Sequence, residues 1–225
     1  ISDAYIQQRA GEVNVDSISK LDHAQPGLDS PSTTHFSIVD RWGNAVSNTY
    51  TINWNYGSGV VVEGAGFILN NEMDDFSTKP GVANVYGVIG GVANEIQPSK
   101  RMLSSMSPTI ILKDDGVRMV VGTPGGSTIF TSVFQGIINV IDNGMSAVES
   151  VAASRFHHQL LPPDLITTSI SIPLADKTKS ALQGKGYRVE PHAWEFGDLQ
   201  LIETSNGKTN TASDPRGIGV SGVVK

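Results

Sequence analysis

One position divides the chain. From Glu12 to Ser32 the residues are polar and interrupted by Pro26, Gly27, Asp29, Ser30 and Pro31, whereas an alternating apolar pattern begins abruptly at Thr33. The breakers predict a flexible surface segment before the join and a core strand after it. Upstream, residues 3 to 10 predict a short helix that Gly11 ends. Downstream, Thr34 to Val39 puts Phe36 and Ile38 on one face, Asp40 to Asn44 reads as a turn, and Ala45 to Asn53 is rich in Thr, Val and Tyr. That is a β-hairpin, with Thr33 at its free end.

The rest of the pattern predicts strands, then helices, then strands. Asn55 to Gly66 reads as a glycine-rich loop around a short strand at Val60 to Val62. Asn70 to Pro98 shows almost no regular pattern, and irregular stretches of that length inside a compact domain generally serve a site. Strands are expected at Thr109 to Lys113 and Val117 to Gly122, around a turn at Asp114 to Gly116. Ile129, Phe130, Val133, Phe134, Ile137, Ile138 and Ile141 follow helical spacing up to Gly144, and Ser146 with Glu149 forms a capping box for a second helix. A third helix fits Ala175 to Gln183, and the last strands fit Tyr187 to Glu190, Leu199 to Glu203 and Gly217 to Val224. This order predicts an α+β domain with helices stacked on a sheet.

Composition removes several functions. With 39% hydrophobic and only 17% charged residues, the chain is neither a charge-driven disordered protein nor a coiled coil. No apolar run approaches the roughly 18 residues of a membrane span. A net charge of −6 without a basic block gives no nucleic-acid or anionic-membrane surface. There is no cysteine, so disulfides, thiolate metal sites and cysteine nucleophiles are excluded. Covalent chemistry then falls to Ser, Thr, Lys or a carboxylate. The chain begins at Ile1 without an initiator Met or a signal peptide, and is expected to be a processed product or a piece of something longer.

Four clusters have chemical potential, each with a plainer reading beside it. A hydroxyl at the join, in Ser32-Thr33-Thr34-His35, is placed to attack the preceding carbonyl and cleave the chain, leaving Thr33 with a free α-amine as base for its own hydroxyl. A β-forming Thr pair at a strand start explains the same residues. Thr123-Pro124-Gly125-Gly126-Ser127, between a strand and a helix, can aim backbone N–H groups at an oxyanion, or is simply a tight turn. Asn70-Asn71-Glu72-Met73-Asp74-Asp75 suits an ammonium group or a hard cation, or is a solvated acidic turn. Lys100 to Pro108 offers hydroxyls beside two cations, fit for a carboxylate or for an ordinary loop. His157-His158 is read as structural, since adjacent helical residues do not face one another and no carboxylate stands at ligand spacing. Trp42, Trp54 and Trp194 are expected in the core or at its rim.

Taken together and in order, these segments resemble the small subunit of the gamma-glutamyltransferases (gamma-glutamyltranspeptidases), in the N-terminal-nucleophile hydrolase superfamily. The matching stretches are Thr33-Thr34-His35-Phe36, Thr49 to Asn53, Leu69 to Phe76, Leu103 to Pro108, Pro124 to Ser127 and Ala212-Ser213-Asp214-Pro215-Arg216. The resemblance implies a four-layer αββα sandwich whose sheets are shared with a large subunit. Residues 1–32 would be the end of that large subunit and 33–225 the small, catalytic one.

The resemblance also assigns roles. Thr33 would be the nucleophile of self-cleavage and of catalysis, Thr51 would assist it, and Gly125 and Gly126 would hold the oxyanion. Asn53, Glu72 and Asp75 would bind the substrate's α-ammonium, while Ser104 and Ser105 would bind its α-carboxylate together with an Arg of the large subunit. Pro80 to Gly91, with Tyr86, resembles the lid of bacterial members, which favours small γ-glutamyl donors such as glutathione. An amino acid or peptide would be the acceptor, and no cofactor or metal is implied. Export to a bacterial periplasm or beyond is expected by resemblance alone. Two alternatives stay open, a related glutaryl or cephalosporin-type acylase and an unprocessed, inactive precursor segment.

Overall fold

The computed structural model describes residues 3, 4, 7, 33–84, 86–114 and 116–224. Asp3, Ala4 and Gln7 are helical, in line with the short helix expected there. The expected linker over 12–32, Ser32 included, lies outside the described residues. In chain order the elements are β1 (Thr34–Val39), β2 (Ala45–Tyr50), β3 (Val61–Val62), β4 (Phe67–Ile68), β5 (Thr109–Lys113), β6 (Gly116–Gly122), α1 (Ile129–Ile141) and α2 (Ala147–Ala152). There follow β7 (Phe156–His157), β8 (Leu165–Thr168), α3 (Asp176–Gly184), β9 (Arg188–Pro191), β10 (Gln200–Ser205) and β11 (Lys208–Ser213). The composition of elements is α+β, as expected.

The centre is an antiparallel four-stranded sheet in the order β11-β10-β6-β5. One face packs α1 and α2 around Met119, Val121, Leu199 and Leu201, all at most 1% exposed. Burying each such side chain contributes roughly 1.5–3 kcal/mol. Ser146 caps α2 through the expected box, its hydroxyl accepting from Glu149 N while the Glu149 carboxylate accepts from Ser146 N at 2.8 Å. A buried ionic cluster ties the end of α2 to the last strand. Arg155 Nη1 meets Asp214 Oδ2 at 2.5 Å and donates to Gly197 O at 2.7 Å, and Arg216 Nη1 lies 2.9 Å from Asp214 Oδ1.

The other face of the sheet meets the β1–β2 hairpin, paired from Thr34↔Tyr50 to Val39↔Ala45. The Asp40 carboxylate holds the turn by accepting from Trp42 N and Asn44 N, both at 2.9 Å. The hairpin's polarity is inverted relative to a simple core strand. His35 and Thr49 are buried against the sheet, while Phe36, Ile38, Val46 and Tyr50 are 41–58% exposed on the far side. Helices, sheet and hairpin make three of the four expected layers, and the apolar outer face of the hairpin is where a fourth would pack.

Several expectations change. Gly217 to Val224 is not a strand: it forms no ladder with any described strand, and Ile218 and Val220 are almost wholly exposed. Apolar β-formers promote a strand only where a neighbour accepts their backbone groups. β11 was not foreseen, because Lys-Thr-Asn-Thr-Ala-Ser has no apolar alternation and serves as a polar edge of the sheet. Nor were β7 and β8, and His157 accordingly sits in a strand, not a helix. Trp42 is 73% exposed at the hairpin tip, with Arg41 stacked 4.2 Å from its ring centre, so it is not a core residue.

Candidate active site

The nucleophile candidate stands at the start of β1. Extending the register by one pair beyond Thr34↔Tyr50 sets Thr33 opposite Thr51. Thr51 Oγ1 accepts from Asn53 N at 2.9 Å, and Asn53 adopts φ +75°, a left-handed conformation that Asn tolerates better than most residues. The chain thereby leaves the hairpin and turns toward the long loop.

That loop is fastened by asparagines. Asn53 Nδ2 donates to Asn71 O at 3.1 Å, Trp54 N donates to Asn71 Oδ1 at 3.0 Å, and Asn71 N donates to Ile52 O at 3.2 Å. Next comes a single 3-10 turn, Glu72–Asp75. Asn94 Nδ2 donates to Asp75 O at 2.7 Å, and Asn94 Oδ1 accepts from Leu103 N at 2.9 Å. Thr51, Asn53, Glu72, Asp75 and Ser104 thus lie on segments joined by one continuous series of hydrogen bonds. Short amide side chains suit this because they mimic backbone partners.

Glu72 and Asp75 are the two ends of that one turn, and their carboxyls influence each other. Burial, the Asp75 charge and a hydrogen bond to Asp75 push the Glu72 carboxyl up to about 7. Burial also raises Asp75, against the pull of its hydrogen bond with Glu72. Two carboxylates in this position are costly to ionise together, and a bound cation would relieve the cost.

Gly125 and Gly126 precede α1 with φ of +138° and +56°, conformations that favour glycine. A Cβ on Gly125 would fall 2.5 Å from Thr128 Oγ1, a hydroxyl that itself donates to Gly125 O at 2.8 Å. The turn is therefore built tightly onto the helix start, where backbone N–H groups and the helix dipole favour negative charge.

Tyr86 lies at the tip of a small hairpin running from Gly81 to Gly90. Asn84 shapes it, its Oδ1 accepting from Tyr86 N and Val88 N, both at 3.0 Å. The tyrosine is buried, and its hydroxyl donates to Asn53 Oδ1 and lies 3.3 Å from Asn53 O. Gln159 Nε2 reaches Tyr86 O at 3.4 Å, and Gln159 Oε1 lies 2.9 Å from His157 Nε2. The loop expected as a lid is thus latched down on the ammonium-binding candidate.

The structure groups the remaining residues unequally. Asp75 and Ser105 line one cavity of about 510 Å³. Ser104 and Ser105 line a second, of about 570 Å³, with Gly87, Ile89 and Ser127, the residue after Gly126. Thr33 opens instead on a third, of about 430 Å³, beside Pro124 and Gln200. None of these three cavities brings Thr33 together with Asn53, Glu72 or the serines, and its links to them are the hairpin register and the Pro124–Gly125 turn. No group of three metal-binding side chains occurs among the described residues. Sequence reasoning missed Asn94, the Tyr86–Asn53 contact and the buried His35. Only an Asn preceding or following a turn gave any signal for the first of these.

The gamma-glutamyltranspeptidase family model matches residues 1–224. A glutathione hydrolase proenzyme of Pseudomonas aeruginosa is 58% identical over 222 residues, covering 99% of this chain and 40% of its own. The glutathione hydrolase proenzyme of Escherichia coli K12 is 42% identical over 219 residues, covering 96% and 37%. This chain therefore spans about 40% of the length of the curated relatives it matches. A solved gamma-glutamyltranspeptidase from Pseudomonas nitroreducens, complexed with L-DON, superposes with a TM-score of 0.82 at 59% identity, over 85% of this chain and 100% of that one. The expected sandwich fold is the fold of this chain.

Proposed function

The chain belongs to the gamma-glutamyltranspeptidase family, and on that premise we propose that it carries the nucleophile and most of the donor site of a γ-glutamyl hydrolase and transferase. The observation that carries the reading is the asparagine-fastened frame, which joins the segments bearing Thr51, Asn53, Glu72, Asp75 and Ser104. Thr33 Oγ attacks the Ser32 carbonyl, and the peptide nitrogen leaves with a proton as the α-amine of Thr33. Water then hydrolyses the ester and frees the new N-terminus.

In turnover, the α-amine takes the Thr33 hydroxyl proton as the oxygen attacks the donor's γ-carbonyl. The Gly125 and Gly126 N–H groups hold the tetrahedral oxyanion. The leaving amine departs with a proton, and water or an acceptor amine resolves the γ-glutamyl ester. Asn53, Glu72 and Asp75 bind the donor α-ammonium, Ser104 and Ser105 bind its carboxylate, and Tyr86 closes the site. The lid favours small donors such as glutathione, with an amino acid or peptide as acceptor. The partner is a large subunit cut from the same precursor, seated on the exposed apolar face of the hairpin. A periplasmic or external location belongs to the same proposal; among the described residues no helix is long and apolar enough to cross a membrane.

The test is Thr33→Ala in the full-length precursor. It should yield one uncut chain by intact-mass measurement and no γ-glutamyl turnover, while wild type gives a fragment beginning at Thr33. Substantial turnover by the variant would refute Thr33 as nucleophile.

A further inference from the structure

Two residues beyond the proposed nucleophile, His35 is wedged between the hairpin and the central sheet and is only 7% exposed. Its Nδ1 lies 2.7 Å from Thr49 Oγ1, and its Nε2 lies 3.0 Å from Ser37 Oγ. The ring covers Gly122, where a Cβ would fall 2.2 Å from Cε1 and 2.3 Å from Nδ1. Gly122 does not need its glycine for a left-handed backbone, since its φ lies outside that region. What it supplies is room for the ring.

These contacts reach three parts of the proposed machinery. β1 leads back from His35 to Thr33, and at about 3.3 Å of rise per residue the two are about 7 Å apart. Thr49 on β2 is two residues before Thr51, and Gly122 at the end of β6 is three residues before Gly125. The hairpin's side of this interface is small and polar around the ring, with Ser37 and with Ser47, whose Oγ donates to Val121 O at 3.2 Å. Apolar filler would leave such layers free to slide, whereas a ring with both nitrogens engaged fixes one spacing.

His35 is also unsuited to proton transfer at neutral pH. Burial lowers it to about 4, so the ring is neutral, and the two hydroxyls satisfy both its nitrogens in either tautomer. We infer that His35 is a positioning residue, which sets Thr33 against Thr51 and the Gly125–Gly126 turn for self-cleavage and for turnover. This rests on Thr33 being the nucleophile.

The experiment uses the full-length precursor with His35→Asn, Thr49→Val and Gly122→Ala, and Ser47→Ala as the control that also removes an inter-sheet hydrogen bond. Cleavage at Ser32–Thr33 is followed by intact mass, and kcat and KM are measured with a γ-glutamyl anilide. Misplacing a nucleophile by about 1 Å costs on the order of 100-fold. His35→Asn and Gly122→Ala should therefore cleave slowly and lose about that factor in kcat with KM within about threefold, while Thr49→Val loses about tenfold. Ser47→Ala should stay within about twofold, as expected for a bond remote from the reacting atoms. If His35→Asn does not fold, Gly122→Ala and Thr49→Val decide. Near-normal kcat in both, or a raised KM at constant kcat, overturns the proposal, as does an equal loss in Ser47→Ala. Wild-type turnover is read separately: its absence alongside normal cleavage removes the donor assignment and leaves cleavage rates to judge His35. Absence of both removes the premise and the proposal with it.

Discussion

The sandwich and the loop frame are held together by different means. From Thr109 to Ser213 many of the buried hydrophobic residues form one cluster across β6, α1, α2, β10 and β11. Between Thr51 and Ser105 only Phe76 and Tyr86 are buried hydrophobic residues among those described, and the segment depends on Asn53, Asn71, Asn84 and Asn94. Apolar burial is non-directional and forgiving of small shifts, whereas an amide bracket works at one geometry or not at all. The sandwich supplies stability, and the loop frame supplies precision with little stability of its own. Damage to the first should therefore appear as unfolding, and damage to the second as lost activity in a folded protein.

The largest stability effect is expected at the buried ionic cluster. Asp214→Ala strands Arg155, whose guanidinium is wholly buried, beside Arg216. Breaking a buried pair from one side costs about 3–5 kcal/mol. Chemical denaturation should show that loss, and less than about 1 kcal/mol would mean that the cluster opens to water. The loop frame should answer differently. Asn94→Ala breaks the bond to Asp75 O and removes the acceptor for Leu103 N, costing about 2 kcal/mol of stability at the usual worth of a hydrogen bond. Its effect on kcat/KM should reach about 10- to 100-fold, because the Glu72–Asp75 turn and the serines lose their common fastening. Parallel losses in stability and activity would contradict the division drawn between the two regions.

The same division explains what could be read in advance. α1 was legible because Ile129, Val133 and Ile137 recur at helical spacing, and α2 because Ser146 and Glu149 satisfy each other locally. β1 was legible by alternation and β2 by its Thr, Val and Tyr content, although β2 ends at Tyr50 and not at Asn53 and nothing local reveals that the apolar face points outward. The clusters around Thr33, Glu72, Ser104 and Gly125 were legible as candidates from their chemistry, but each had a plainer local reading beside it, and the individual roles came from the resemblance. His35 and Asn94 escaped because their partners, Gly122 and Asp75, lie 87 and 19 residues away in the chain.

A pH effect separates the regions further. Glu72 is raised from 4.5 to about 7, so the folded chain binds more protons than the unfolded one between those values. The folded state should accordingly lose stability as pH rises through that window. A cationic donor has the opposite preference, because it favours the ionised pair. Donor KM should fall as pH rises toward and past about 7, and Glu72→Gln should flatten that step. An unchanged KM–pH profile in Glu72→Gln would remove the pair from donor binding. Arg155 contributes no such step, because burial lowers it only to about 10 and it stays charged throughout.

The smallest effect is expected at the join between lid and frame. Tyr86→Phe deletes the hydroxyl that donates to Asn53 Oδ1 but leaves the buried ring and the Asn84-shaped hairpin in place. One neutral hydrogen bond is worth about 1 kcal/mol, or roughly fivefold. The change cuts two ways, since it removes the tyrosine's claim on Asn53 Oδ1, which a donor ammonium would also approach, while the closed lid is held less firmly. If latching dominates, donor KM rises about threefold to fivefold with kcat nearly constant, as expected when a ground-state contact is lost. If competition for Asn53 dominates, KM falls. A measured fall would mean that the latched arrangement is the resting state, which a donor must open. A rise would mean that the lid closes over the donor in this same geometry, and that the frame from Thr51 to Ser105 includes Tyr86 as its outermost bracket.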